Sequence, residues 1–264
     1  MKKYIKSYRR YLQYILYTII LIFIELPCWL FILLIVYIAP LSITSKIINV
    51  HTKFFLRLFR IKIKYNFNEQ NKINIKKFDP LGSMLISNHI SWIDILAMLG
   101  AYNKISFIAK AELKKWPILG KIIIKYNTIF VQQNRFELKN INLSIANQIN
   151  NGLLVAVFPE GETTDGKTVY QFKSAIFQGA INAECAVIPL VINYLDKNGN
   201  NIAPTITYSK KNLFRSIKDT IYNTPFVIEI TELPVINTSN FTNRNHLRDH
   251  VEQTIKEYYL KVIT

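Results

Sequence analysis

The sequence predicts an α/β layered domain with a mostly parallel central sheet flanked by helices, preceded by an N-terminal membrane-embedded helical hairpin. Three observations carry that reading. Beyond residue 82, apolar runs of strand length alternate with longer helix-like segments, the pattern of a layered α/β domain. Leu12 to Ile43 is apolar except for Gln13, Glu25 and a few hydroxyl-bearing residues, longer than the roughly 20 residues needed to cross a bilayer. Basic residues flank it on both sides: Lys2, Lys3, Lys6, Arg9 and Arg10 before, Lys46, Lys53, Arg57 and Arg60 after. The expected division is a membrane-associated segment over 1–64 and an α/β domain over 65–264.

The apolar segment is too long for the apolar stretch of a signal peptide and has no small-residue cleavage site, so it is expected to be retained. Pro27 divides it into two shorter pieces, and Pro40 lies near its end. Basic residues concentrate on the cytoplasmic side of membranes, so bases at both flanks favour a hairpin that dips in and returns over a single kinked crossing. That orientation points to the cytoplasmic face of a bacterial inner membrane. Tyr4, Tyr8, Tyr11, Tyr14 and Tyr17 are placed as interfacial anchors. Ile47 to Arg60 continues as a basic amphipathic stretch, with Ile47, Ile48, Phe54, Phe55, Leu58 and Phe59 offered to the headgroup region.

Tyr65 to Phe78 is polar and reads as a strand or linker into the globular part. The strands expected after it are 83–87, 105–109, 128–131, 153–158, 187–192, 202–208 and 226–233. Helical patterns fall at 93–102, 111–126, 137–150 and 173–183. Residues 243–263 read as a closing amphipathic helix with Leu247, Val251, Ile255 and Tyr258 on one face.

Half of the 264 residues are hydrophobic, and the formal net charge is +16. Such a balance suits an anionic partner: nucleic acid, an acidic membrane surface or a phosphorylated substrate. The bases surround a long apolar segment and no nucleic-acid motif is present, so an anionic membrane is favoured over nucleic acid. Cys28 and Cys185 sit in apolar surroundings and read as small buried hydrophobes. His246 and His250 flank Asp249 on the last helix but have no third ligand in view, so no metal is implied.

Two stretches carry chemistry. Ser87-Asn88-His89-Ile90-Ser91-Trp92-Ile93-Asp94 lies where a buried strand meets a helix. On one continuous helix, side chains five residues apart point about 140° away from each other. His89 and Asp94 meet only if His89 precedes the helix and Asp94 lies in its first turn, with Ser91 as N-cap. The alternative role for Ser91 and Asp94 is a capping box, which needs nothing of His89. In the second stretch, a strand ends at Phe158-Pro159 and delivers Glu160 and Gly161. Ligand sites of open α/β sheets collect beyond the carboxyl ends of strands, so two strand ends carrying polar groups point to one site. An ordinary loop turn is the alternative for Glu160-Gly161.

Taken together, these stretches resemble the glycerolipid acyltransferase family, the PlsC type, whose familiar bacterial member is 1-acyl-glycerol-3-phosphate acyltransferase. Asn88-His89 with Asp94 matches its first motif, and Ser91 and Trp92 look typical of it. Phe158-Pro159-Glu160-Gly161 matches its third. Ile129 to Arg135 is similar to the second motif, and Val187-Ile188-Pro189-Leu190 to the fourth. Lys110, Glu112 and Trp116 to Gly120 fit the segment between the first two. The resemblance runs from about Gly82 to Val191 in order and spacing.

It implies acyl transfer from a thioester, acyl-CoA or acyl carrier protein, to the free hydroxyl of a lysophospholipid, with no further cofactor, no metal and no covalent enzyme intermediate. His89 is then the general base, and Asp94 fixes its tautomer. Asn88, Ser91, Phe158, Pro159, Glu160 and Gly161 line the acceptor site, with Arg135, Lys110 and Lys173 toward phosphate. Backbone N–H groups near Gly161 or at the helix starting from Ser91 are candidate oxyanion donors. Two positions depart from the family pattern. Gln133 stands where an arginine is expected, with Arg135 two residues on, and Glu162 stands where a small hydroxyl residue usually follows Phe-Pro-Glu-Gly. A carboxylate beside the phosphate pocket repels a dianion, which brings lyso-ornithine lipid or a lysophospholipid diester forward as alternative acceptors. A non-catalytic membrane-binding relative is the reading outside the enzyme class. The oligomeric state is open.

Overall fold

The structure is a computed structural model and describes residues 8, 11–12, 15–69, 82–131 and 138–263. Helix α1 (Ile15–Ile38) carries the apolar segment, and α2 (Leu41–Leu58) returns from it. Pro27 does not break α1. A proline ring clashes with the carbonyl four residues back and lacks an N–H. Here the turn before it widens to a π-helical turn over Leu21–Glu25, with Leu26 N–H donating to Leu21 O. The hairpin therefore turns at Ala39-Pro40, where Ala39 is extended and ends the helix, and not at Pro27 as the sequence suggested.

The two arms run antiparallel. His51 Nε2 on α2 lies 3.0 Å from Glu25 Oε2, Trp29 packs edge-on against His51, and Tyr17 stacks on Phe59 at 4.8 Å. Tyr17 is thus buried at the foot of the hairpin and not an interfacial anchor; Tyr8 and Tyr11 are exposed, and Tyr4 and Tyr14 lie outside the described residues. The expected lipid face of α2 is likewise revised. Ile48, Phe55 and Phe59 are buried against the domain, whereas Phe54 and Val50 are exposed.

A mixed sheet follows, built from β1 (Ile61–Asn66), β2 (Ser83–Ser87), β3 (Ile105–Lys110), β4 (Ile129–Val131), β5 (Leu154–Val157), β6 (Ala186–Leu195), β7 (Phe226–Glu232) and β8 (Ile236–Asn237). The spatial order is β1-β7-β6-β2-β5-β3-β4, with β8 also on β6. From β6 to β4 every neighbouring pair is parallel. β7 runs antiparallel to β6 and parallel to β1. β1 begins at Ile61, so this strand straddles the expected boundary at residue 64.

The helices are α3 (Ile93–Ala101), α4 (Leu119–Lys125), α5 (Leu138–Asn150), α6 (Phe177–Asn182), α7 (Ala203–Ile206), α8 (Leu213–Asn223) and α9 (Arg244–Ile263). Right-handed crossovers put α3 and α4 on one face of the sheet and α5 and α6 on the other, because the chain moves outward from β2 to β4 and back from β4 to β6. The strand order therefore reverses between β2 and β5, and the loops leaving those strands part toward opposite faces. A crevice at the carboxyl end of the sheet results.

Two close approaches frame β2. Gly82 N–H donates to Ile149 O at 2.7 Å, and a Cβ at Gly82 would fall 1.9 Å from Leu153 O. Pro189 sits in β6 where its antiparallel partner changes from β8 to β7. The missing N–H falls in that gap, which is how a proline is tolerated inside a sheet. Three expectations are corrected. The strand expected over 202–208 is instead a short helix over Ala203–Ile206 with Pro204 in its first turn. The pattern over 111–126 is a 3₁₀ turn (Ala111–Lys115) followed by α4. On α9, Tyr259 rather than Tyr258 completes the buried stripe with Leu247, Val251 and Ile255.

Asn49 on α2 joins the hairpin to the domain by donating to Leu99 O at 2.8 Å and Gly100 O at 3.0 Å, two terminal carbonyls of α3. Asn49→Ala leaves those acceptors without that donor in a buried joint. We expect a loss of about 1–3 kcal/mol of stability, read by chemical denaturation of the detergent-solubilised chain.

Candidate active site

β2 ends at Ser87, and Asn88 to Trp92 form the loop that enters α3. Asp94 lies in the first turn of α3, fully buried. One of its oxygens, Oδ2, accepts from His89 Nδ1 at 2.8 Å, Ile90 N–H at 2.7 Å and Ser91 N–H at 2.8 Å. The other, Oδ1, accepts from the Tyr194 hydroxyl at 2.5 Å. A loop that curls around the start of the helix lets His89 and Asp94 meet despite their spacing. The N-cap residue is Trp92 and not the expected Ser91, and no side chain makes a cap bond there. Of the expected capping box only the Asp94 half, its bond from Ser91 N–H, is present, and the same oxygen grips His89.

His89 is pinned from every side. Its N–H donates to Glu160 Oε1 at 2.6 Å, and its carbonyl accepts from Thr164 N–H at 2.8 Å. Ile90 O accepts from Tyr208 N–H at 3.0 Å. The Phe158 ring stacks on the imidazole, with centroids 4.1 Å apart and planes tilted by 17°. Nδ1 is engaged, which leaves Nε2 as the ring nitrogen available to a substrate.

Glu160 is buried, and its second oxygen accepts from Tyr170 N–H at 2.8 Å. Burial pushes its carboxyl up to about 8, aided by the nearby Asp94 charge and opposed by the two N–H donors. The loop after it is closed by Lys173 N–H on Pro159 O at 2.9 Å, and α9 holds that loop from behind. Glu252 Oε2 accepts from Phe172 N–H at 2.7 Å, and Tyr259 donates to Gly166 O at 2.9 Å. Gly161 has φ of +76°, and a Cβ there would lie 2.4 Å from Lys173 Nζ, so the lysine side chain lies directly over it.

The sequence-predicted residues separate into three groups. His89, Asp94, Phe158, Glu160, Gly161 and Lys173 are brought together at the crevice. Asn88, Ser91 and Pro159 are buried in its floor. Asn88 donates to Ile192 O at 2.9 Å and accepts from Ile192 N–H at 2.8 Å, so its side chain ties the loop to β6 and is not presented to an acceptor. Ser91 likewise exposes nothing. Lys110 ends β3 at the same sheet edge and is exposed. Arg135, with Gln133, lies outside the described residues. The expected oxyanion donors are otherwise engaged: Ser91 N–H on Asp94, and Gly161 N–H on Phe158 O at 3.2 Å.

Sequence reasoning missed Tyr194. It lies five residues beyond Pro189 on a strand that runs to Leu195, past the expected end at 192, and nothing local marks it. Burial and the adjoining Asp94 carboxylate raise its hydroxyl well above the ordinary tyrosine range, so it stays a donor.

Comparisons with known proteins bear on the family and the fold. A family model described as "Acyltransferase" matches residues 67–193. The 1-acyl-sn-glycerol-3-phosphate acyltransferase of Neisseria gonorrhoeae is 33% identical over 178 residues, covering 67% of this chain and 69% of that protein. A lyso-ornithine lipid O-acyltransferase of Pseudomonas aeruginosa is 36% identical over 109 residues, 41% of this chain and 42% of its own. The crystal structure of the 1-acyl-sn-glycerophosphate acyltransferase PlsC from Thermotoga maritima superposes with a TM-score of 0.68 at 20% identity, covering 99% of this chain and 98% of that one. That likeness is one of fold, and it includes the mostly parallel sheet.

The raised Glu160 carboxyl has a stability consequence. Between its ordinary value of 4.5 and about 8 the folded protein holds a proton that the unfolded chain has released. Its contribution is therefore full below 4.5 and is lost as pH rises through about 8. Glu160→Gln cannot titrate, so the stability of wild type relative to this variant should fall steadily across that window, measured by denaturant titration at stepped pH.

Proposed function

The chain belongs to the PlsC-like acyltransferase family, and from that premise we propose that it moves a fatty acyl group from an acyl thioester to the free hydroxyl of a lysophospholipid. It is an O-acyltransferase; the acceptor and the roles of single residues are our reading. The observation that carries it is the His89–Asp94 pair held at the strand-order reversal, with one imidazole nitrogen left for the acceptor.

A lipid hydroxyl attacks a thioester slowly unless its proton is removed as the bond forms. His89 Nε2 takes that proton, while Asp94 accepts from Nδ1 and stabilises the imidazolium. The oxygen adds to the thioester carbonyl, and the tetrahedral intermediate collapses with loss of the thiolate. The thiolate recovers the proton from His89 and leaves as the thiol. Tyr194 supports this by holding Asp94 aimed. Glu160 acts through the backbone of His89 and is a positioning residue. Lys173, over Gly161, offers an ammonium to an anionic head group, with Arg135 and Lys110 as further candidates. The donor is acyl-CoA or acyl carrier protein, and no cofactor beyond it is proposed.

The preferred acceptor is 1-acyl-glycerol-3-phosphate, giving phosphatidic acid. Lyso-ornithine lipid is the second reading, favoured by the exposed Glu162 beside the site, which disfavours a dianion, and by the lyso-ornithine relatives of similar identity.

The reading sets the enzyme on an anionic bilayer, at the cytoplasmic face of a bacterial inner membrane where acyl thioesters are made. α1 is long and apolar enough to cross, but both its ends touch the globular domain. Tyr17 lies 3.4 Å from Thr224, and Lys125 Nζ sits 5.1 Å over the Tyr37 ring. Those residues are about 30 Å apart along a helix, the full thickness of the hydrocarbon core. A crossing helix would carry one end to the side without the domain, so the hairpin is read as lying in one leaflet.

His89→Ala should lower turnover by about 10²- to 10⁴-fold with folding and membrane association unchanged. Asp94→Asn should lose most activity as well. Tyr194→Phe, which removes one charge-assisted bond, should cost about 10- to 100-fold in kcat with little change in KM. Thiol release by the purified chain, with product masses recorded when several lysolipids compete, measures all of these. Near-wild-type turnover in His89→Ala refutes the base assignment, and the dominant product identifies the acceptor.

A further inference from the structure

Helix α8 has an apolar stripe that its own domain covers only in part. Phe214, Ile217 and Ile221 are spaced to share one face. Ile221 is buried, Ile217 is half-buried, and Phe214 is 86% exposed, more than any other exposed large hydrophobic of the described residues. Ser216 and Thr220, roughly 110° further round the helix, are buried against the domain together with Ile221. The stripe thus emerges from the interior at its carboxyl end and runs out to the surface at its amino end.

The ends of α8 have definite neighbours. Thr224, its C-cap, meets Tyr17 at the foot of the apolar helix α1. Five residues before Leu213, Tyr208 N–H is bonded to Ile90 O in the loop that carries His89. The segment 208–224 therefore bridges the active-site rim and the lipid-embedded hairpin. Its charge is one-signed where it is exposed. Arg215 and Lys218 flank the Phe214 stripe, and Lys210 precedes the helix. The one acid of the helix, Asp219, is neutralised by Lys211 at 2.8 Å and also lies 3.9 Å from Arg215 Nε, whose side chain stays largely exposed.

We propose that α8 is a second membrane-docking element, in which Phe214 enters the interfacial region of an anionic bilayer while Arg215 and Lys218 take lipid head groups, holding the mouth of the His89 site against the leaflet. The occupant is a lipid surface because the stripe is continuous with the α1 junction and its rim is basic. An acidic protein partner is the outcome that a negative vesicle test leaves standing. The proposal rests on the lipid-acceptor reading above, and its test separates the two.

The full chain is assayed with one lysolipid in two forms: a long-chain form in vesicles of phosphatidylglycerol and phosphatidylcholine, and a short-chain form soluble without vesicles. Phe214→Glu and the pair Arg215→Glu/Lys218→Glu should each lose on the order of tenfold or more in kcat/KM on vesicles and nothing on the soluble form, whereas Phe214→Leu keeps both rates. In parallel, an environment-sensitive fluorophore is attached at Phe214→Cys, with Cys28→Ser and the buried Cys185 left in place. It should shift to the blue on phosphatidylglycerol-containing vesicles and be quenched by spin-labelled lipid. Unchanged vesicle rates in the charged variants, equal losses on both forms, or a fluorophore as wet on vesicles as in solution each overturn the docking role. A wild type inactive on both forms instead defeats the lipid-acceptor reading, and the fluorophore still decides the docking.

Discussion

Asp94 is the constraint around which the site is assembled. An ionised carboxylate without exposure costs several kcal/mol unless its lone pairs are filled, and here four donors fill them: an imidazole, two backbone N–H groups and a phenol. Each donor comes from a different demand of the fold. The backbone groups shape the loop after β2, the phenol requires β6 to run on past its neighbour, and the imidazole is the group we propose as the base. Moving any of them leaves a buried charge short of a partner. The same contact that stabilises the start of α3 therefore fixes the tautomer of His89.

A second carboxylate, Glu160, does for the backbone of His89 what Asp94 does for its side chain. It spans two loops, accepting from His89 and from Tyr170. Burial pushes the Glu160 carboxyl up, and the nearby Asp94 charge adds to that push. The site thus trades some stability at higher pH for a histidine with no freedom to drift, as positioned catalysis requires. Behind this, α9 holds the 159–173 loop through Glu252, Arg248 and Tyr259, so the last helix in the chain supports the loop of the third motif.

The N-terminal hairpin obeys the same economy of contacts. A π-helical turn absorbs Pro27, the Glu25–His51 contact joins the two arms, and Asn49 closes the end of α3. The hairpin is docked on the domain through α2 and through the two ends of α1, and α8 extends its apolar junction toward the rim of the site.

Much of this was legible before any coordinates. Strand and helix alternation, the mostly parallel sheet, and the residues of the first and third motifs depend on local patterning and short spacings, which a chain displays directly. What the chain does not display is pairing across distance. Whether Pro27 or Pro40 turns the hairpin depended on a π-helical turn and on what the arms pack against. Asn88 and Ser91 look like site residues beside His89, yet whether a side chain faces a crevice or the floor beneath it depends on strands far away in sequence. Tyr194 and α8 were invisible for the same reason. A tyrosine on a strand and a short amphipathic helix acquire meaning only from the groups that the fold sets beside them. The residue order alone determined which chemistry was present and roughly where along the chain it lay; the tertiary structure decided which groups touch, because burial and hydrogen bonding between distant segments are properties of the packed molecule.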